Sequence, residues 1–166
     1  MFKKGDLVVY PAHGIGRVDD VQVEFVNGEE RGFFVVRIIE NDMKIMLPIG
    51  NAENVGVRHL IDKTEVSKVF ETLSKKEITV VSSNWNKRYR EYMSKIRSGS
   101  IYELAEVFRS LYLTQAEKNL SFGERKMLET AKSLIVKEIA LVTGISEWEV
   151  EAMVHRSVAG DGNLGL

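Results

Sequence analysis

The segment whose residue types most clearly suit a binding role begins at Trp85 and reads WNKRYREY. The cations Lys87, Arg88 and Arg90 follow the indole closely. Lysine and arginine neutralise phosphates without reading base sequence, and an apolar side chain can enter a DNA minor groove at an unstacked step. This combination is compatible with a helix start that contacts nucleic acid.

The same tryptophan could instead belong to an ordinary protein core. On a helical wheel one face carries Trp85, Tyr89, Tyr92 and Ile96, with Met93 at its edge. Such spacing is typical of a core stripe. Trp85 lies in the first turn, where the stripe is expected to extend beyond the bundle. Our hypothesis is that Trp85 is exposed as a wedge and that the rest of the stripe fills the core.

A second segment, IALVTGISEWEVEAMVHR, has the pattern of a helix-turn-helix with Gly144 in its turn. The would-be recognition helix carries Glu147, Glu149 and Glu151, and carboxylates there would repel phosphates. We therefore interpret this unit as packing, with Trp148 among the residues that supply apolar contacts.

Residues that could perform catalysis or bind a metal are isolated from one another. The chain has no cysteine, and no second ligand stands at metal spacing from His13, His59 or His155. The pair Gly14 and Gly16 lacks the third glycine and the following helix of a dinucleotide loop. We expect no enzymatic activity, no metal and no cofactor.

Composition limits the possible partners. A length of 166 residues with 44% hydrophobic content suits one ordinary domain or two small ones. The net charge of -1 is unlike that of a free-standing DNA binder, so DNA contact requires a local basic patch or help from a partner. The sequence contains neither an apolar run of ~20 residues nor a signal peptide, which predicts a cytoplasmic protein without membrane contact.

The first 60 residues read as strands separated by short turns. Asn27-Gly28 is the preferred two-residue hairpin turn, which places Glu24 opposite Arg31 and Val21 opposite Phe34. A small, strongly bent sheet or partial barrel is expected.

A second two-residue turn is expected at Asn41-Asp42, which places Arg37 opposite Met46 and Ile38 opposite Ile45. One face of the sheet then forms the core, with Val21, Val23, Phe34, Val36, Ile38, Ile45 and Leu47. The other face mixes apolar and charged residues, namely Glu24, Arg31, Phe33, Val35, Arg37, Met46 and Pro48. Such a mixture is typical of a partner surface, and cover by a neighbouring helix or loop is the equal alternative.

Helical signals begin after this sheet. Capping boxes start at Asp62, Ser100, Ser121 and Ser146, each with a glutamate three residues later. The predicted helices are 63–74, 85–97, 101–117, 122–142 and 147–156. An extended linker is expected up to residue 83, and a glycine-rich tail follows from 159. The fold class is therefore α+β.

Several segments together resemble the CarD/CdnL family of bacterial transcription regulators. They are FKKGDLVVYPAHGIGRV, NAENVGVR, NWNKRYREYMSKIRSG and LSFGERKMLETAKSL. The match extends from Phe2 to about Arg156 and is closer to the CdnL branch than to the longer multidomain members.

The resemblance implies a different role for each part of the chain. Residues 1–60 would form a Tudor-like domain that binds the β subunit of RNA polymerase. Residues 61–81 would be a connecting helix and linker, and residues 82–158 a compact helical domain on promoter DNA, followed by a disordered tail at 159–166. The implied function is stabilisation of the promoter open complex by a monomeric protein, located with polymerase on the nucleoid.

The resemblance also implies roles for individual residues. Trp85 matches the tryptophan that wedges into the minor groove at the upstream edge of the bubble. Its basic and apolar companions on DNA are Lys87, Arg88, Arg90, Phe122 and Lys126. The polymerase-facing residues are expected to be Glu24, Arg31, Phe33, Val35, Arg37 and Met46. Some family members carry arginines where this chain has Glu24 and Met46, so Arg31 and Arg37 are expected to supply the charge.

Two alternatives of other classes stand beside this one. The protein could be a structural polymerase-associated module that never touches DNA. It could also be a Tudor-like adaptor that binds peptides and has no relation to polymerase.

Overall fold

The computed structural model describes residues 1–76 and 84–160. The chain divides into two compact units, Met1–Leu60 and Ile61–Leu166. The predicted linker and tail fall largely on residues 77–83 and 161–166, outside the described residues.

The N-terminal unit is an antiparallel sheet, as the strand periodicity predicts. Its elements are β1 (Leu7–Tyr10), β2 (Gly14–Val26), β3 (Glu29–Ile38), β4 (Lys44–Pro48), a 3-10 turn (Ile49–Asn51), α1 (Ala52–Val55) and β5 (Arg58–His59). The strands lie in the order β4-β3-β2-β1-β5.

The first hairpin has the predicted turn and register. Asn27 and Gly28 both adopt left-handed backbone conformations, with φ of 53° and 81°. A two-residue turn with two positive φ angles matches the twist of the flanking strands. Glu24 therefore pairs with Arg31, and Val21 pairs with Phe34, as predicted.

The second hairpin corrects the predicted register by two residues. Ile45 pairs with Val36, and the connection runs from Ile39 to Met43. The Asn41 side chain accepts a hydrogen bond from the N–H of Met43 at 3.0 Å, so it stabilises a longer loop. Because the shift is even, every side chain stays on its predicted face.

The core of the sheet is shorter than predicted, because the β2–β3 hairpin extends past its neighbours. Pairing of β1 with β2 ends at Arg17, whereas β2 continues to Val26. Val21 and Val23, predicted as core residues, are consequently exposed, and Phe25 beyond them is 74% exposed. The buried cluster consists of Val8, Val18, Phe34, Val36, Ile38, Leu47, Ala52 and Val57.

The C-terminal unit is helical, as predicted. Its helices are α2 (Lys63–Ser74), α3 (Trp85–Arg97), α4 (Ile101–Glu117), α5 (Phe122–Thr143) and α6 (Glu147–Ala159). The starts agree with the predicted ones, and the last two helices are slightly longer. Reciprocal capping boxes form at Asp62 and Ser121. At Ser100 and Ser146 the hydroxyl accepts the N–H of the glutamate three residues on.

One apolar core joins these helices. Its centre is α4, whose Ala105, Val107, Phe108 and Leu111 have no exposed surface. Ile135 and Ile139 on α5 and Val150 and Val154 on α6 are equally buried and complete the cluster. This rigid base supports the first turns of α3 and α5, where the predicted DNA-contacting residues lie.

Candidate nucleic-acid interface

Two helix starts meet at the centre of the candidate site. Helix α3 begins at Trp85, and its N-cap is Asn84, whose side chain accepts a hydrogen bond from the N–H of Lys87 at 3.3 Å. Helix α5 begins with Phe122 and Gly123. A Cβ placed on Gly123 would contact the indole of Trp85, so the two first turns are neighbours. Helix N-termini favour anions, and this end of the unit therefore suits a phosphate-bearing partner.

Trp85 is held but not buried. Its side chain keeps 37% of its surface exposed. The ring of Tyr89 lies 5.9 Å away between centroids at an angle of 55°. The guanidinium carbon of Arg88 lies 5.5 Å from the centre of the indole. The indole is therefore partly exposed and is supported on one side by Tyr89, Arg88 and the start of α5.

The predicted core stripe is correct in its lower half and wrong at Tyr89. Tyr92 and Ile96 are buried, as expected, while Tyr89 is 43% exposed. Followed from Trp85, the stripe enters the core at Tyr92, one turn later than the sequence suggests. The exposed aromatic surface therefore consists of two rings, those of Trp85 and Tyr89.

Arg88 points into the protein, unlike its predicted companions. Its Nη2 lies 3.9 Å from Oε2 of Glu124, and the side chains of Arg88 and Glu124 are only 17% and 6% exposed. Lys87 and Arg90 on the same helix are exposed. The cations that follow the tryptophan in the sequence thus have different surroundings.

Helix α5 supplies further exposed groups beside the indole. Phe122 is 76% exposed at the first position of the helix. Lys126 is exposed one turn later, together with Arg125, which the sequence patterns do not single out. The result is a surface of aromatic rings and cations, which is the composition used to bind nucleic-acid backbones and bases.

Charged groups beneath this surface act on Tyr92. Burial raises the pKa of its phenol above the ordinary value, the charge of Arg88 lowers it, and the charges of Glu124 and Glu91 raise it. Tyr92 therefore stays protonated and neutral at physiological pH, as a buried ring under an aromatic surface should.

An open groove continues along the exposed side of α3. Its lining residues are Tyr89, Arg90, Met93, Ser94, Arg97 and Ser98. Two guanidinium groups beside an aromatic ring extend the basic surface away from the tryptophan.

The predicted polymerase-facing residues fall into two groups in the N-terminal unit. Glu24, Arg31 and Met46 are exposed, whereas Phe33 is half-buried. Arg31 makes a long ion pair with Glu29, at 3.8 Å. These positions are accessible to a protein partner.

The other two predicted positions are engaged within the unit. Arg37 pairs with Asp19 at 3.2 Å and with Asp42 at 3.7 Å. Val35 is buried and offers a partner little surface. Burial of Val35 agrees with the alternative that part of the mixed face is covered.

Two exposed apolar features were missed by the sequence analysis. The hairpin stripe, which we define as Val21, Val23 and Phe25, is exposed on β2. Trp148 was predicted to pack but is 72% exposed in the first turn of α6. Strand alternation and helix periodicity both assign such residues to a core. For the hairpin stripe, the extension of β2 beyond β1 accounts for the exposure.

Other classes of site are not evident in the described part of the chain. Residues 1–76 and 84–160 contain no group of three or more His, Cys, Asp or Glu side chains that could hold a metal ion. Within the same ranges no helix is sufficiently long and apolar for a bilayer crossing.

Two family models cover most of the sequence. The one described as CarD-like/TRCF RID domain matches residues 2–61, and the one described as CarD, C-terminal domain matches residues 68–155. The second match alone exceeds half of the chain.

The chain belongs to the CarD family. The family comprises transcription regulators, and the resemblance read from the sequence motifs is thereby confirmed. Both units of the structure carry a CarD domain, the sheet the N-terminal one and the helices the C-terminal one.

Two named proteins are similar to this chain. The transcription factor candidate YdeB of Bacillus subtilis (strain 168) is 29% identical over 152 residues, which is 92% of this chain and 99% of YdeB. Among solved structures, CdnLNt from Myxococcus xanthus is 43% identical and covers 38% of this chain and 89% of its own, with a TM-score of 0.33.

Proposed function

We propose that this CarD-family protein binds the β subunit of RNA polymerase through residues 1–60 and stabilises the promoter open complex. In this proposal Trp85 wedges into the minor groove at the upstream edge of the bubble. The observation that carries the proposal is the position of Trp85, partly exposed at the head of α3 beside the exposed Phe122.

The chemistry of the surface favours DNA as the ligand of the C-terminal unit. Lys87, Arg90 and Lys126 are exposed close to the aromatic rings, and each can neutralise a phosphate. An indole inserted between base pairs needs an unstacked step, which the edge of a melted bubble supplies. Binding should therefore depend on DNA shape and melting more than on base sequence.

The net charge of -1 explains why a second contact is needed. Duplex affinity of the isolated protein should be low, because a local patch neutralises few phosphates. Attachment to polymerase would raise the effective concentration of the wedge at the promoter. The wedge then needs only a modest preference for melted DNA, since about 1.4 kcal/mol shifts an equilibrium tenfold.

The hairpin of the N-terminal unit is a suitable polymerase contact. Glu24 and Arg31 are exposed on one face, and the hairpin stripe is exposed on the other. In addition, β1 pairs with β2 only as far as Arg17, so the outer edge of β2 from Asp20 onward has no neighbouring strand within the described residues. An extended partner segment could add to such an edge.

A crosslinking experiment tests the proposal directly. A photoreactive residue at position 85, in a complex with polymerase and promoter DNA, should crosslink to DNA at the upstream edge of the bubble. The same residue at position 148, an exposed tryptophan on a different helix, is the matched control and should give much less DNA crosslinking.

The other outcomes of this experiment have clear meanings. Crosslinks from position 85 to polymerase alone would favour a structural module that never touches DNA. Failure to associate with polymerase at all would favour the peptide-binding adaptor and would contradict the proposal.

A further inference from the structure

Arg88 has surroundings that differ from those of the exposed cations around it. Its guanidinium carbon lies 5.5 Å from the centre of the Trp85 indole. Its Nη2 lies 3.9 Å from Oε2 of Glu124, and the Arg88 side chain is 17% exposed. A guanidinium enclosed in this way has little surface with which to reach a phosphate.

Glu124 is itself fixed by the start of α5. Its Oε1 accepts the N–H of Ser121 at 3.2 Å, and the Ser121 hydroxyl accepts the N–H of Glu124 at 3.2 Å. The carboxylate therefore has one oxygen on the helix cap and the other towards Arg88. Arginine suits this place because its planar group can lie over an aromatic ring and pair with a carboxylate at the same time.

Gly123 completes the surroundings of the indole. A Cβ built on Gly123 would lie 3.2 Å from Cζ2 and 3.5 Å from Cη2 of Trp85, so a larger residue at that position would push the ring away by a few tenths of an ångström. Arg88 lies over the ring and Gly123 lies against its edge. Both contacts depend on the same turn, because Glu124 follows Gly123 directly.

We propose that Arg88 is a positioning residue: paired with Glu124, it holds the indole of Trp85 in one orientation against Gly123 and does not itself bind a phosphate. The purpose of this arrangement rests on the proposed function. A wedge that is already oriented loses less side-chain freedom when it inserts. The orientation itself is a property of the free protein and can be measured without polymerase or DNA.

Nuclear Overhauser contacts in the full-length protein test the orientation. The parent protein should show a strong contact between the Hζ2 proton of Trp85 and an α-proton of Gly123. Glu124→Gln should weaken this contact, although glutamine still completes the capping box. Arg88→Gln should weaken it too, whereas Arg88→Lys should restore it only in part, because an ammonium lacks the planar fork.

Lys87→Gln is the matched control, since Lys87 is an exposed cation in the same helical turn. It should leave the contact between Trp85 and Gly123 unchanged. In a titration of duplex DNA against salt, it should lower the slope of log affinity by about one. Arg88→Gln should leave that slope unchanged. A drop of about one for Arg88→Gln, with the indole contact intact, would overturn the proposal in favour of a phosphate contact.

Removing Arg88 alone leaves the buried Glu124 carboxylate without this partner, which can unfold the site whether or not Arg88 positions the indole. The double variant Arg88→Gln/Glu124→Gln removes both charges and is examined after its folding has been checked by thermal melting. A folded double variant that keeps the full indole contact would also overturn the proposal. If Trp85→Ala leaves open-complex lifetime unchanged while the indole contact behaves as expected, the proposed function fails and the positioning role of Arg88 stands.

Discussion

Trp85 and Gly123 approach so closely that the indole Cζ2 lies 3.2 Å from where a Cβ on Gly123 would be. The two residues are 38 positions apart in the sequence and come from different helices. The contact joins the exposed aromatic at the start of α3 to the start of α5, and it makes one surface of two helix ends.

Gly123→Ala should separate stability from activity. Alanine is the better helix former, so thermal stability should be unchanged or rise by less than ~1 kcal/mol. The added methyl group should displace the indole, and the lifetime of the open complex should fall severalfold. Gly50→Ala is the control, because a Cβ there enters open space. An unchanged lifetime for Gly123→Ala would contradict a role for the indole's position.

Trp85→Ala and Ile96→Ala should differ in their effects on stability and on open-complex lifetime. Ile96 is buried at the base of the same helical face, and its truncation should cost ~2–5 kcal/mol of unfolding free energy. Trp85 is partly exposed, and its truncation should cost less than the ~3–5 kcal/mol typical of a buried tryptophan. Thermal melting measured beside open-complex lifetime checks this: Trp85→Ala should melt near the parent temperature and lose lifetime. Early melting of Trp85→Ala would identify it as a core residue.

Arg31→Glu should weaken binding to the polymerase β subunit by roughly tenfold, or about 1.4 kcal/mol, because Arg31 is exposed and its ion pair with Glu29 is long, at 3.8 Å. Its free energy of unfolding should fall by less than ~1 kcal/mol, since the new carboxylate would lie opposite Glu24 in the hairpin. Arg37→Glu should reduce both binding and melting temperature, because it would set a carboxylate beside Asp19 and Asp42. Pull-down of the β subunit by the full chain measures the effect, and full binding by Arg31→Glu would refute the assignment.

The stability that Asp62 contributes as the N-cap of α2 should depend on pH. The hydrogen bond from the Thr64 hydroxyl, together with the backbone N–H groups at the helix start, holds the pKa of Asp62 below its ordinary value of 3.8. A carboxyl group whose pKa is lower in the folded state than in the unfolded state stabilises the folded protein at pH values above the unfolded pKa. This stabilisation is lost as the pH falls through the folded pKa. Asp62→Asn keeps a capping oxygen but cannot titrate. Its stability deficit against the parent should therefore be present at neutral pH and vanish in acid.

Thr64→Val is the matched variant, because it removes the hydroxyl that donates to the Asp62 carboxylate and should reduce this pH dependence. A deficit for Asp62→Asn that grows on acidification would contradict the sign of the Asp62 shift.

Local chemistry in the sequence was enough to predict most of the elements. Asn27-Gly28 specifies its turn because both residues tolerate positive φ, and the N-cap residues start helices because their side chains satisfy free N–H groups. Asn41-Asp42 misled for a physical reason. The Asn41 side chain bonds the Met43 N–H and stabilises a longer loop than two residues.

The candidate site was only partly predictable, because its geometry depends on contacts between distant residues. The pattern identified Trp85 and its cations, yet it placed Arg88 with Lys87 as a surface cation. Glu124 was recognised only as a capping residue, and the ion pair at 3.9 Å could not be inferred from local spacing. Gly123 carried one signal that could have been used, since a glycine inside a helix often marks a close approach.

The β2–β3 hairpin that extends beyond the sheet is a potential site of aggregation. Strand edges without neighbours recruit other chains, and the hairpin stripe adds exposed apolar side chains to such an edge. The charges of Glu24, Glu29 and Arg31 on the same hairpin oppose that recruitment. Under the proposed function, in which polymerase covers the hairpin, molecules made in excess over polymerase should be the first to aggregate or to be degraded.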